Sequence, residues 1–305
     1  MATPLIECVP NFSEGRRPEV IEAVVAPFRQ RKGCALLDYR ADPDHNRLVV
    51  TLAGRPGPLQ EALLESARAA VAHIDLERHQ GGHPRIGAVD VIPFVPLRNV
   101  TLAECVELAH DFGRRYHRET GVPVYFYEEA ALRPERRQLE NIRRGQYEAL
   151  KTEAARPERR PDVGPPRLHP SAGATVIGAR KFLIAFNVNL NTTDLKVARR
   201  IAQAVRASSG GLGHVKGLGL ALEKRGLVQV SLNIVDYEKN SLYRVVELIR
   251  LEARRWGVEI VETEVYGLVP AAALLESAAY YLQVADFDPK QVLELRLLEM
   301  MDESV

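Results

Sequence analysis

The sequence predicts an α+β protein built from two tandem βαββαβ units. Three observations carry this. The order strand, helix, strand, strand, helix, strand reads off the residues from Leu5 to Val95, and again from Phe182 to Val265. Apolar residues in those stretches recur with the period of two that marks strands and the spacing of three to four that marks helices. Between the two runs lies a stretch of different texture, residues 128–173, rich in arginine and proline. The βαββαβ order is the split βαβ unit of ferredoxin-like folds, with two helices on one sheet face. The other face is left for a ligand or a second sheet. The expected domains are residues 1–177, which include the linker 128–173, and residues 178–305.

The first unit opens with a strand from Leu5 to Val9 and a turn-forming loop, Pro10 to Gly15. Val20, Ile21, Val24, Val25 and Phe28 predict a helix from about Arg17 to Gln30, stopped by Gly33. Ala35–Asp38 and Arg47–Ala53 read as a hairpin around the polar loop Ala41–Asn46. Leu59, Leu63, Ala67, Ala70, Val71 and Ile74 give the next helix, and Val89–Val95 a buried strand. A helix (Leu102–Glu119) and a strand (Pro123–Tyr127) extend the unit. The linker carries nine arginines, from Arg133 to Arg167, with Leu139, Ile142 and Tyr147 marking a short basic helix. So long a connection with little structure is unusual unless it lies over a site. Its arginines form a solvated face, or attract an anionic tail of a substrate.

In the second unit, Phe182–Leu190 is a strand and Thr193–Ala207 a helix. Val215–Leu222 and Leu227–Val235 form a hairpin, followed by a helix from Leu242 to Ala253 and a strand from Val258 to Val265. Ala271–Tyr281 and Pro289–Met301 read as terminal helices. Val89–Val95 and Leu227–Val235 are both apolar enough to need cover on the face away from the helices.

Composition bounds the function. The chain of 305 residues is 46% apolar and 27% charged, ordinary for a globular protein of about two domains. A net charge of +1 gives no global field toward nucleic acid or membrane. Three widely spaced cysteines, Cys8, Cys34 and Cys105, suggest a reducing compartment. The N-terminus has neither the basic nor the apolar region of a signal peptide, and no apolar run approaches the ~20 residues of a membrane span. A cytoplasmic protein is expected.

The stretch with the most chemistry is Gly81-Gly82-His83-Pro84-Arg85-Ile86-Gly87. Pro84 fixes its own φ and pushes His83 into an extended conformation. The result is a stiff loop that holds an imidazole and a guanidinium at a strand's entrance, which suits proton transfer at neutral pH. His79 and His83 have the four-residue spacing of a zinc helix, but Gly81, Gly82 and Pro84 forbid a helix, so no metal is expected. Asp38, Asp42, Asp44, Asn46 and Arg47 form a polar hairpin loop that is either a solvated turn or a substrate clamp, with Arg47 holding a carboxylate bidentately. The stretch Gly210 to Gly217 lacks the Lys-Ser/Thr ending and the strand-to-helix context of a phosphate loop, which leaves His214 a loop histidine.

Several motifs resemble those of the glutamate formimidoyltransferases. They are Glu7-Cys8-Val9-Pro10-Asn11-Phe12-Ser13-Glu14-Gly15, His83-Pro84-Arg85-Ile86-Gly87-Ala88-Val89-Asp90, Pro123-Val124-Tyr125, Gly173-Ala174-Thr175-Val176, Gly178 to Asn187, and Gly267-Leu268-Val269-Pro270. They run in order along nearly the whole chain. The resemblance implies transfer of a formimidoyl group from N-formimidoyl-L-glutamate to tetrahydrofolate, a co-substrate, with no metal. It also implies two ferredoxin-like subdomains with the substrate in a groove between their sheets, and a homodimer. The family's catalytic histidine falls on His83. Its folate-binding segment falls on Gly164, Pro165, Pro166, Arg167, Leu168, His169, Pro170, Ser171, Ala172 and Gly173. Asn46, Arg47 and Arg85 are the residues expected to position the carboxylate or amidine. Ala172 stands where the family has tryptophan, and Arg40 where some relatives have an acid. Vertebrate relatives carry a cyclodeaminase domain after this one, so a separate cyclodeaminase is expected downstream. Two alternatives stand beside this reading: formyl transfer from N-formylglutamate, and an RNA-binding module on the ferredoxin-like sheet. The module would need stacking aromatics on central strands, and Val91-Ile92 and Val228-Gln229-Val230-Ser231 do not supply them.

Overall fold

The computed structural model describes residues 3–29 and 31–303. Gln30, the expected end of the first helix, lies outside them. The chain divides into two compact units, Met1–Lys181 and Phe182–Val305.

The first unit runs β1 (Leu5–Cys8), β2 (Asn11–Phe12), α1 (Pro18–Arg29), β3 (Cys34–Asp42), β4 (Arg47–Gly54), α2 (Pro56–His73), β5 (Val89–Arg98), α3 (Leu102–Thr120), β6 (Val124–Glu128), α4 (Leu139–Ile142), α5 (Gln146–Glu153) and β7 (Thr175–Ala179). All seven strands form one sheet. β3 pairs with β4 at its edge, β1 and β2 share the lane between β4 and β5, and β7 and β6 follow. The pairings from β3 to β5 are antiparallel, whereas β5–β7 and β7–β6 are parallel. The chain passes from β5 to β6, which run in the same direction on either side of β7, through the crossover helix α3. Thr101 and Glu104 form a capping box at its start, and Gly121, at φ 71°, ends it.

β7 has no counterpart in the expected order. It wedges between β5 and β6, so the first sheet is wider than a βαββαβ unit. The expected boundary after residue 177 falls inside this strand. Ile6, Leu52, Ile92, Phe94, Phe126 and Ile177 pack on one face against Val24 and Phe28 of α1, Leu63 of α2 and Phe112 of α3. The other face of β5, β6 and β7 is not bare. Val91, Tyr125, Tyr127 and Val176 are covered by Ile142 and Leu150, the apolar residues of α4 and α5.

The linker is therefore a folded cover, and its arginines hold it together. Arg133 donates to the Pro157 carbonyl, Arg136 to those of Glu158 and Arg160, and Arg159 to those of Asn141 and Arg144. An irregular segment leaves carbonyls without ladder partners, and guanidinium groups, with five donors each, supply them. Arg136 is also paired with Asp162 at 2.6 Å, both side chains 4% exposed.

The second unit runs β8 (Ile184–Leu190), α6 (Leu195–Val205), β9 (Val215–Leu222), β10 (Leu227–Ile234), α7 (Leu242–Arg255), β11 (Ile260–Tyr266), α8 (Ala271–Leu282) and α9 (Leu293–Glu303). Its sheet has the order β11-β8-β10-β9, antiparallel throughout. Phe186, Val188, Val230 and Leu232 pack against Ile201 of α6 and Val245 and Ile249 of α7. The opposite face is polar along β8 and the middle of β10, contrary to the apolar face expected of Leu227–Val235, while the edge strand β9 leaves Leu218 and Leu220 exposed on it. Asn189 donates to Glu262 and Glu264, both at 2.8 Å, and accepts from Gln229 at 2.9 Å. The period of two sends every second residue of β10 to that face, and those include Gln229, Ser231 and Asn233.

Candidate active site

The loop before β5 folds against the turn between β3 and β4. Gly81 sits so close to that turn that a Cβ would lie 2.2 Å from the His45 carbonyl oxygen, which no side chain tolerates. Asn46, at φ 50°, adopts the left-handed conformation that asparagine reaches more readily than most residues. Its side chain ties three loops together: Oδ1 accepts from Gly15 N at 2.9 Å, and Nδ2 donates to the Gln80 carbonyl at 3.0 Å.

His79 is locked in the same place. Arginine only donates, so the Arg85 Nε contact of 3.1 Å makes His79 Nδ1 an acceptor. Nε2 therefore carries the proton and donates to the Asn46 carbonyl at 2.9 Å. With both ring nitrogens engaged, His79 has no lone pair for a metal. Among the described residues no three His, Cys, Asp or Glu side chains gather as a metal site would need.

His83, Asn46, Arg47 and Arg85 line one cavity, together with His45, His79 and Asp90. The His83 ring is half-buried and meets His45 edge-on at 6.3 Å. His45 in turn pairs with Asp42 at 2.5 Å. Burial, then the positive charges of Arg47 and Arg143, push the His83 pKa from the usual 6.5 down to about 3. The imidazole is thus neutral at physiological pH, with a lone pair to accept a proton. A cavity of about 280 Å³ adjoins this one, sharing Ser13, Asn46 and His79 and lined also by Arg16, Arg17 and Arg78.

Arg85, expected to position the carboxylate or amidine, lines the cavity while its guanidinium is engaged by the protein itself. It is 7% exposed, and its guanidinium grips Glu148 of α5 through two bonds, at 2.6 and 2.9 Å. A third bond reaches Gln146 at 3.1 Å. Arg85 thus pins the linker to the loop of His83. Asn46 likewise spends its amide on backbone. Both shape the walls of the cavity, and Arg47 contributes charge to it.

Of residues 164–173, the end meets the His83 loop, with Gly173 bridged to Gly87, while Gly164 lies against His117 of α3. His169 and Gly173 exchange two backbone bonds in a tight hairpin, and His169 Nδ1 accepts from Ala172 N at 3.1 Å. Gly164 to Arg167 and Pro170 are exposed, whereas Ala172 and Gly173 are buried. Ala172 belongs to the core of the unit, where its carbonyl accepts from Ala88 N at 2.9 Å. Ala174 N bonds the Ile86 carbonyl, so this segment and the His83 loop share a seam.

Three residues of the site escaped the sequence reading. Asp90 lies at a bulge in β5, where Val89 faces Phe12 and Val91 faces Asn11. It takes the Ile86 N–H at 2.7 Å and pairs with Arg143. Glu148 holds Arg85. Arg143 and Glu148 stand 53 and 63 positions from their partners, and no local signal links them.

Comparison with known proteins follows the same lines. Residues 5–180 match the N-terminal subdomain of the formiminotransferase domain and residues 185–297 match the formiminotransferase domain. The chain is 47% identical over 295 residues to a glutamate formimidoyltransferase of Streptococcus pyogenes serotype M1, covering 96% of this chain and 99% of that one. It is 46% identical over 295 residues to one from Thermoplasma acidophilum, covering 96% and 97%. It is 48% identical over 283 residues to the formimidoyltransferase-cyclodeaminase of Mus musculus, covering 91% of this chain and 52% of that one. A seven-stranded unit bearing the histidine cavity and a four-stranded unit behind it in sequence thus coincide with the two matched regions, and the chain belongs to the formiminotransferase family.

Proposed function

We propose that the chain is a glutamate formimidoyltransferase, moving the formimidoyl group of N-formimidoyl-L-glutamate to N5 of tetrahydrofolate. The products are L-glutamate and 5-formimidoyltetrahydrofolate. The observation that carries the reading is the neutral imidazole of His83, half-buried beside Arg47. N5 attacks the amidine carbon and gives a tetrahedral adduct. His83 takes the N5 proton as this bond forms. The C–N bond to glutamate then breaks, and the imidazolium returns the proton to the leaving amine. A single group with a lone pair at neutral pH can serve both steps. The surrounding guanidinium groups favour an anionic donor; by disfavouring the imidazolium they ease the return of the proton and raise the cost of its uptake.

Residues 164–173 serve as the folate-binding segment in this reading, supported by their seam with the His83 loop. The antiparallel order β11-β8-β10-β9 supports a ferredoxin-like second unit, and the lanes β3-β4-β1-β5 support one in the first. A homodimer in the cytoplasm, with a separate cyclodeaminase acting on the product, completes the proposal. Against the RNA-binding alternative stand the sheet faces of the described residues, although Tyr266 at the edge of the second sheet is an exposed aromatic. The far face of β5, β6 and β7 is covered by the linker, and that of β8 and β10 carries Asn187, Asn189 and Gln229.

The test is an assay of the purified chain with tetrahydrofolate and each of the two donors. Release of glutamate with formation of 5-formimidoyltetrahydrofolate is expected. Turnover of N-formylglutamate alone would transfer the reading to formyl transfer.

A further inference from the structure

We propose that Arg143, delivered by the linker, is a positioning residue for His83 that acts through Asp90. The proposal rests on the assignment of His83 as the proton-transfer group. Arg143 closes α4 and reaches back to the Asp90 carboxylate. Asp90 is 2% exposed, and its other oxygen holds the Ile86 N–H at 2.7 Å. That amide lies three residues beyond His83, at the exit of the catalytic loop. The same linker holds the loop at a second point, where Glu148 grips Arg85 and Tyr147 N donates to the Arg85 carbonyl at 3.0 Å. Gln146 accepts φ 58° next to Gly145 at φ 74°, so the chain is bent sharply where it docks. A residue in that strained region is held there by its surroundings. The linker thus acts as a brace, with Arg143 and Glu148 as its two fastenings.

Arg143 also brings charge. Its Nε is buried without a hydrogen-bond partner, so Asp90 satisfies only part of the guanidinium's donors. The groups that surround His83 come from every neighbouring element: Arg47 of β4, His45 and Asp42 of the preceding turn, Asp90 of β5, Arg85 of its own loop, and Arg143. Arg143 and Arg47 are the cations that disfavour the imidazolium. Arg143 thus supplies both a fastening, through its pair with Asp90, and a positive charge near His83.

The experiment follows the His83 imidazole by NMR in protein labelled with ¹⁵N-histidine, with His83→Ala used to assign its resonances. Wild type, Arg143→Met and Arg143→Lys are titrated over the range in which each is folded. In Arg143→Met the imidazole should begin to protonate about one pH unit higher or more, and kcat should fall at least about tenfold. Arg143→Lys keeps the cation and should restore the titration and much of the rate. Should Arg143→Met not fold, Arg143→Gln is read in the same way. A titration superimposable on wild type in the uncharged variant overturns the proposal, even where the rate falls. So does a shifted titration that Arg143→Lys fails to correct. The NMR readout needs no turnover, so a chain inactive with formimidoylglutamate refutes the functional reading separately.

Discussion

Two glycine-rich loops each bring a histidine to the approach of a strand. His83 follows Gly81 and Gly82 ahead of β5, and His214 follows Gly210, Gly211 and Gly213 directly ahead of β9. Their local sequences promise similar things, yet their surroundings differ. His214 is exposed at φ 77°, and its carbonyl accepts a bond from Val235 N that closes the hairpin. Gly210, at φ 88°, ends the short turn that follows α6. His83 is half-buried among Arg47, His45 and Arg143, and its loop is tied down by Asn46, Asp90 and Glu148. A glycine loop with a histidine is only a turn until other elements close around it. The chemistry comes from the enclosure.

The comparison predicts opposite outcomes for one substitution. His83→Ala should cost about 10²–10⁴ in kcat with little loss of stability. His214→Ala should stay within about twofold of wild type. Steady-state kinetics with both substrates saturating decide it, and comparable losses in both variants would remove the distinction. The enclosure itself can be loosened at the linker. Arg136→Met leaves Asp162 charged and buried, which should cost about 3–5 kcal/mol in urea unfolding. An exposed pair in the same unit, such as Arg68 with Glu119, should cost less than about 1 kcal/mol when broken.

Burial also predicts pH dependence, with opposite signs at two residues. Folded His83 is neutral down to about pH 3, whereas an unfolded histidine takes a proton below its usual 6.5. The unfolded chain therefore binds more protons between those values, and stability from this group is lost as pH falls through that window. His83→Ala should flatten that slope in thermal melts. Glu7, 4% exposed on β1, is raised from 4.5 to about 7, first by burial and despite the opposing charge of Arg180. The folded chain then holds the extra proton between those values, and stability falls as pH rises. Glu7→Gln should gain about 1–3 kcal/mol at pH 8 and almost nothing at pH 4. Equal gains at both would place the effect in packing.

The smallest expected effect tests the linker arginines. Many of them already serve carbonyls and carboxylates of the linker itself, which leaves little charge for an anionic tail. Polyglutamylated tetrahydrofolate should bind only a few-fold more tightly than the monoglutamate, and salt should erase the difference. A large gain that survives high salt would assign these arginines to the substrate.

Most helices and hairpins were legible because their signals are local. The spacing Val20, Val24, Phe28 needs no distant partner, and α1 is found where it predicts. β9, expected from Val215 to Leu222, is observed over the same residues. β7 was missed for the opposite reason. Thr175–Ala179 is a short apolar run whose identity as a strand depends on parallel neighbours, Val91–Phe94 and Val124–Glu128, far away in sequence. The linker beyond its short helix read as irregular because arginine-to-carbonyl bonds have no sequence period.

The sequence by itself determined the order of elements, the stiffness of the His83 loop and the motifs of the family, because turn chemistry, periodicity and capping act within a few residues. Only the tertiary structure decided the state of His83. Desolvation and charge act through space, and the charged groups responsible come from β4, the turn before it and the end of α4. The same distance dependence hid the partner of Arg85, Glu148, which folding alone brings within 2.6 Å.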